Sequence, residues 1–400
     1  MIYLDNAATC PMKKGAYEKM LPYLTEQYGN PSGAYDFAKK SWEAMDTARE
    51  QIASLIGADK SEIYFTSGGT EADNWAIKGA AELLKEKGRH ILTTRIEHHA
   101  VLNTCKYLEK NGYKITYLDV DEYGMIRLDR LKRAIQPDTI LISVMMANNE
   151  IGTIQPIDEI GMIAKQRNIM FHTDAVQACG HIGIDVSKSN IDMLSASAHK
   201  FGGPKGIGFL YVRQGIELPA FIHGGGQEQG RRAGTGNVPS VVAMGEAAAL
   251  CKKDMRQHIT YVTRLREYAI QRILKEVPFV RLNGHRMRRL PGNMNFSFQF
   301  VEGQELLAML DMKGICASTG SACSTGSAEP SHVLMSIGLT EELAHGSLRL
   351  TISEDTTKRE LDIAIDEIKK ILFKLREMSA EYMEIIHGKR KSNYRYVRWS

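Results

Sequence analysis

The sequence predicts an α/β protein: a large domain around a mostly parallel sheet of seven strands, followed by a smaller α+β domain. Three observations carry this. Short β-branched or apolar runs alternate with longer amphipathic segments through the first half of the chain. At 400 residues the chain is long for a single core. After a long helical stretch near residue 277 the rhythm changes to a few strands and helices of a different spacing. In order, the strands of the large sheet are expected at 63–66, 90–93, 114–118, 139–144, 169–172, 193–195 and 208–212. The helices between them are expected at 70–87, 99–111, 128–135 and 157–167. A helix over 239–277 leads into strands at 279–282, 293–299 and 347–352, with helices at 303–312 and 357–379. The expected boundaries are 16–255 for the large domain, 1–15 with 256–388 for the small one, and 389–400 for a basic tail.

Composition narrows the functional class. With 51 Lys and Arg against 47 Asp and Glu, bulk charge gives no reason to expect direct nucleic-acid binding. The opening MIYLDNAATC lacks the basic and apolar regions of a secretory signal, and no apolar run approaches the ~20 residues that span a bilayer. The six cysteines are scattered, with no C-x-x-C pair, which suits free thiols in a reducing cytoplasm. The tail HGKRKSNYRYVRWS carries five basic residues, three aromatics and no acid. It reads either as a solvated terminus or as a docking arm for an acidic protein or RNA.

Chemistry gathers in the loops. In SASAHKFGGPKGIGF (195–209), Lys200 stands at a strand end before a Gly-rich turn. A lysine so placed suits Schiff-base chemistry, although a lone lysine in a turn is more often solvated. In FHTDAVQACG (171–180) a strand delivers Asp174 to its carboxyl end, where open α/β sheets bind ligands, and Gln177 follows three residues on. A pyridine-ring cofactor needs such a carboxylate at its ring nitrogen; the alternative is a helix cap. TSGGTEADNWAIKG (66–79) turns on glycines and opens a helix at Thr70, an anion site suited to phosphate or a simple capped turn. IEHHAVL (96–102) offers His98 and His99 to stack on a flat ring and move a proton. ANNEIG (147–152) ends a strand with two amides that suit a carboxylate. Arg349, inside an expected strand, needs an anion, either a ligand or an internal acid. Finally, ASTGSACSTGSAEP (317–330) sets Cys323 among small polar residues, which presents a thiol and packs nothing.

Taken together, YLDNAAT, SGGTEADNWAIKG, EHHAVL, NNEIG, HTDAVQ, SAHKFGGPKG, GGGQEQGRRAGT and GSACSTGSAEPSHVL resemble the class V family of fold-type I pyridoxal-phosphate (PLP) transferases, most closely its cysteine desulfurases of the NifS/IscS group. The resemblance runs from the first residues to the last helix and stops short of the tail. It implies PLP as cofactor and L-cysteine as substrate, desulfurated to L-alanine. The sulfur would pass to Cys323 as a persulfide, then to an acceptor protein for iron–sulfur cluster assembly or for thiolation of tRNA or other cofactors. Lys200 would form the Schiff base and move the Cα proton. Asp174 would pair the ring nitrogen, Gln177 would contact the ring oxygen and His98 would stack on the ring. Gly69, Thr70, Ser197 and His199 would hold the phosphate, with Thr235 reaching in from the second subunit of a homodimer. Asn149, at the edge of the cofactor, and Arg349 would bind the substrate carboxylate. Neither a metal nor a membrane is implied. Relatives often carry Ser-x-His after GNPS, where this chain has Gly33 and Tyr35. Competing readings are a selenocysteine lyase or other PLP β-lyase, a desulfurase dedicated to nucleic-acid modification, and a binding module on a degenerate scaffold. The GSACS loop favours a thiol acceptor over a simple lyase.

Overall fold

The computed structural model describes residues 1–319 and 329–388. A short strand β1 (Ile2–Tyr3) precedes the central sheet, which comprises β2 (Ile63–Thr66), β3 (His90–Thr94), β4 (Lys114–Leu118), β5 (Thr139–Ser143), β6 (Met170–Asp174), β7 (Met193–Ser197) and β8 (Gly208–Val212). Their order is β2-β8-β7-β6-β5-β3-β4. Every neighbouring pair is parallel except those of β8, which runs antiparallel to both β2 and β7. The mostly parallel seven-stranded sheet expected from the sequence is the one observed.

The strand sequences explain their place. β2, β3, β5, β7 and β8 are buried at every residue, so they read as continuous apolar or small-residue runs. Alternate residues still point to opposite faces. Ile63, Phe65, Leu92, Ile142, Phe171, Leu194 and Phe209 enter one core with Ile52, Ile160 and Met244. Tyr64, Ile91, Leu141, Met193 and Leu210 enter the other with Trp75, Ile77 and Val101. β4, at the sheet edge, is half-buried and begins with an exposed lysine, a residue that discourages edge pairing.

A second unit is built on β9 (Val280–Leu282), β10 (Asn293–Phe298) and β12 (Ser347–Thr351), an antiparallel sheet in the order β12-β10-β9. β1 pairs in parallel with β11 (Ile315–Cys316). Phe296, Phe298, Leu348 and Leu350 pack with Ile365, Ile368 and Leu372 of the Lys358–Glu377 helix. The 39-residue helix Val238–Glu276 joins the units: Val241, Met244 and Cys251 belong to the large core, Val262, Ile270 and Ile273 to the small one.

The first residues cross from one unit to the other. Thr351 N–H donates to Leu4 O (2.7 Å), and Asn6 Nδ2 donates to Thr351 O (2.8 Å). One residue past Asn6, Ala7 O accepts from Gln177 Nε2 at 3.0 Å and from Lys200 Nζ at 2.7 Å.

The structure departs from the sequence reading at several places. A 21-residue helix, Asp36–Ile56, was not expected. Its buried face is Ala38, Ser41, Ala48, Ile52, Ala53, Leu55 and Ile56, so the large apolar side chains are confined to its last turns and small residues line the rest. The helix expected over 70–87 begins at Gly69 and ends at Leu83. The one expected over 357–379 is followed, after a break, by a further helix, Ala380–Ile386. β6 extends two residues beyond its expected end, which places Asp174 within the strand.

Candidate active site

Five parallel strands aim their carboxyl ends at one region. After β2 the chain turns through Gly68, at φ 153°, a conformation that strains any residue with a Cβ. Gly69 then opens the Gly69–Leu83 helix; a Cβ there would come within 2.5 Å of Val176 Cγ2. The helix is capped by Gly68, without a side-chain bond, and not by Thr70 as the capped-turn alternative required. Thr70 is left exposed at a helix N-terminus whose backbone N–H groups favour an anion.

A cavity of about 270 Å³ opens at these strand ends. Gly69 and Thr70 reach it from β2, His98 from beyond β3, and Asn149 from beyond β5. Asp174 and Gln177 come from β6, and Ser197, His199 and Lys200 from β7. Arg349 enters from β12 of the second unit. Thr235 is not among them: it lines a separate cavity of about 730 Å³ beside Trp42 and Arg232. Cys323 lies outside the described residues.

The Lys200 ammonium donates to the carbonyls of Ala7 (2.7 Å) and Ala8 (2.8 Å). Asp174 Oδ1 accepts the N–H of Val176 at 2.9 Å. Burial pushes its carboxyl up to about 6, against the pull of that N–H and of Lys200. No helix follows, so the helix-cap alternative for Asp174 does not hold. His98 caps the His99–Lys110 helix, its Nδ1 accepting the N–H of Ala100 at 3.1 Å. Burial, then His99 and Lys200, hold His98 down at about 4, so the ring is neutral and carries its proton on Nε2. His99 instead packs edge-on against His332, ring centroids 4.9 Å apart. His199 is likewise held down at about 4 by burial and then Lys200, and its Nδ1 lies 3.1 Å from Thr9 Oγ1.

The two amides of NNEIG divide their work. Asn148 is buried structure: its Nδ2 donates to Ile96 O, and its Oδ1 accepts from the backbones of Glu150 and Ile151. Asn149 faces the cavity. The Arg349 guanidinium, buried on the second unit's sheet, donates to Asp5 Oδ1 (2.9 Å) and to Asn149 O (3.1 Å). Among the described residues its Nε has no partner. Of the two alternatives for Arg349, the internal acid is the one observed, supplied by Asp5. The sequence reading missed Asp5, the Ala7 and Ala8 carbonyls, and Asp73. Asp73 was within reach of it, one helical turn past Gly69 and hence on the same face.

This fold and site define a class: the chain belongs to the class-V aminotransferase family, whose model matches residues 2–363. The family depends on PLP. A cysteine desulfurase IscS of Methanosarcina thermophila is 53% identical over 378 residues, covering 94% of this chain and 93% of that protein. Among solved structures, a NifS-like protein superposes with a TM-score of 0.88 at 36% identity, covering 93% of this chain and 99% of its own. SspA in complex with cysteine superposes with a TM-score of 0.78 at 40% identity, covering 89% of this chain and all of that one.

Proposed function

We propose that this chain is a PLP-dependent cysteine desulfurase that passes the sulfur of L-cysteine through Cys323 to an acceptor protein. The observation that carries the reading is convergence: an amine, a buried carboxylate and an open helix N-terminus line one cavity, with an arginine from the second unit at its rim.

These residues fit the cofactor. The Gly69–Leu83 N-terminus with Thr70, Ser197 and His199 suits its phosphate, Asp174 its ring nitrogen, Gln177 its ring oxygen and His98 its face. When bound, PLP supplies the electron sink that lets the Cα–H bond of an attached amino acid ionise. Lys200 is the base that takes the Cα proton and returns it. Arg349, with its spare Nε, and Asn149 hold the substrate carboxylate. The neutral His98 presents an N–H to the site and adds no positive charge. The Cys323 thiolate takes the substrate sulfur: an S–S bond forms, the C–S bond breaks with its electron pair going to carbon, and the protonated remainder leaves as alanine.

The flanks of the Cys323 segment are tied to the cavity-lining Arg349 on one side and to Glu150 and Glu97, chain neighbours of the lining Asn149 and His98, on the other, which supports this role. Ser318 pairs with the backbone of Arg349 (Ser318 N to Arg349 O, 3.2 Å). On the far side Ser331 Oγ donates to Glu150 at 2.5 Å, and His332 Nε2 lies 3.0 Å from Glu97 O.

A homodimer completes the reading. Leu24, Tyr28, Tyr35, Phe37 and Trp42 are exposed close together in sequence, and Trp42 helps wall the cavity that holds Thr235. Such an apolar patch suits a second copy, which would bring Thr235 to the phosphate.

The test is alanine formation from L-cysteine by the PLP-loaded protein beside Cys323→Ala. The expected result is alanine from the wild type and background from the variant, with equal cofactor absorbance. Equal alanine from both would replace the persulfide route by a simple lyase.

A further inference from the structure

A second carboxyl lies at the base of the cavity. Asp73 lines it and is 1% exposed, and among the described residues its Oδ1 has no hydrogen-bond partner. A carboxylate oxygen of Asp73, one of Asp174 and a ring nitrogen of His98 all lie within 4.8 Å of one another.

The groups facing the two aspartates decide its charge. His172, on β6, has Nε2 3.6 Å from Asp73 Oδ1. That ring is held down at about 3 by burial, and its nitrogens sit 2.9 Å from Ser143 Oγ and 2.9 Å from Ser195 Oγ. It is therefore neutral. His98 is neutral for the same reason. Glu97, beyond β3, is pushed up to about 8 by burial. Lys200 acts on Asp174. Burial and then the charge of Asp174 push Asp73 well above the usual carboxylate range, against the pull of the Ser195 hydroxyl. Two carboxyls this close, shielded from water, do not both ionise near neutrality; they titrate as a pair.

We propose that Asp73 is a positioning residue that carries the proton of this pair, leaving the negative charge on Asp174 opposite the cofactor's ring nitrogen, and that as pH rises it gives up its proton before the ring does. The inference rests on the cofactor reading above. Its consequence is a buffered ring. Once Asp73 ionises, a second negative charge stands near the ring nitrogen and strengthens that nitrogen's hold on its proton. An asparagine at 73 has the same shape but cannot supply that charge.

The test uses PLP labelled with ¹⁵N in the ring, bound to wild type and to Asp73→Asn, with the nitrogen shift followed against pH. The ring of Asp73→Asn should lose its proton about one pH unit lower, a tenfold weaker hold, with the cofactor still bound. In the apo-protein labelled with [¹³Cγ]aspartate, one aspartate carboxyl should remain protonated at pH 7, and Asp73→Asn should remove that signal. Coincident ¹⁵N titrations with only the melting temperature changed would reduce Asp73 to a structural residue. A protonated signal that survives in Asp73→Asn would place the proton elsewhere and overturn the proposal. Should Asp73→Asn not fold, the absence of a protonated aspartate in the wild-type apo-protein overturns it equally. Failure of the wild type to bind PLP would instead sink the cofactor reading, while the apo titration still reports on the pair.

Discussion

Burial keeps four thiols of this chain protonated. It pushes Cys10 and Cys105 up to about 12 and Cys251 up to about 11, and Cys179 is raised by the same cause. A thiol that stays protonated neither attacks a sulfur nor accepts one at neutral pH. In the desulfurase reading this leaves the transfer to Cys323 without competition from those four. Iodoacetamide at pH 7.5 should therefore spare these four cysteines in the folded protein and modify them after denaturation, as mass spectrometry of peptides will report. Asp5 is the matching case for charge. It holds the buried Arg349 guanidinium, so Asp5→Ala leaves that cation without its acid. Removing one partner of such a pair costs ~3 kcal/mol. The expected outcome is a KM for L-cysteine raised about tenfold with kcat reduced less, since the lost contact orients the group that binds the carboxylate.

The turn after β2 is where element geometry makes the site. At φ 153° Gly68 takes a conformation that costs a side-chain-bearing residue ~1–3 kcal/mol. Gly68→Ala should thus lower PLP affinity at least tenfold while circular dichroism keeps the helix content of the wild type; unchanged affinity would show that the turn tolerates a Cβ. This turn was legible in the sequence because two adjacent glycines after a buried strand have few other uses. The strands were legible for a similar reason: burial on both faces leaves runs that nothing else in the chain imitates. The Asp36–Ile56 helix was missed: its large buried side chains, Ile52, Leu55 and Ile56, come only in its last turns, and small residues line the rest of its inward face. Site residues at a strand's end or a few positions past it, such as Asp174 and Lys200, could be read from their own motifs. Arg349 could be read only as a charge in need of a partner, and Asp5 as its partner hardly at all, since 344 residues separate them. Roles for Thr235 and Cys323 came from family resemblance, because neither flanking segment states its chemistry through local pattern alone.

At the scale of the whole molecule, buried acids set the response to pH. Glu97 is pushed up to about 8 by burial, and Glu150 up to about 7. Their folded-state values lie above those of the unfolded chain, so the folded state holds protons that the unfolded state has released. The stability this gives is fully present below about pH 4.5 and is lost as pH rises through 7 and 8. His98 works in the opposite sense: held down at about 4, it contributes stability above about pH 6.5 that is lost as pH falls through 4. Glu97→Gln should accordingly flatten the decline of melting temperature between pH 5 and 8 and leave the acid limb in place, as a calorimetric pH series will show. The exposed Leu24–Trp42 region makes a second prediction at this scale. Trp42→Glu should shift the sedimentation coefficient from dimer to monomer and weaken PLP binding with it; a wild-type monomer would end the dimer reading.

Asn6 and Ala7 leave the ribosome well before the partners that hold them. Asn6 waits for Thr351, 345 residues later, and Ala7 for Lys200. The large sheet can assemble during synthesis, since its strands end at Val212. The carbonyls that hold the Lys200 amine are fixed in place only when β12 has been made. A nascent chain thus carries a nearly finished sheet with an unfinished pocket, and capture of the cofactor becomes a late event that follows the synthesis of β12.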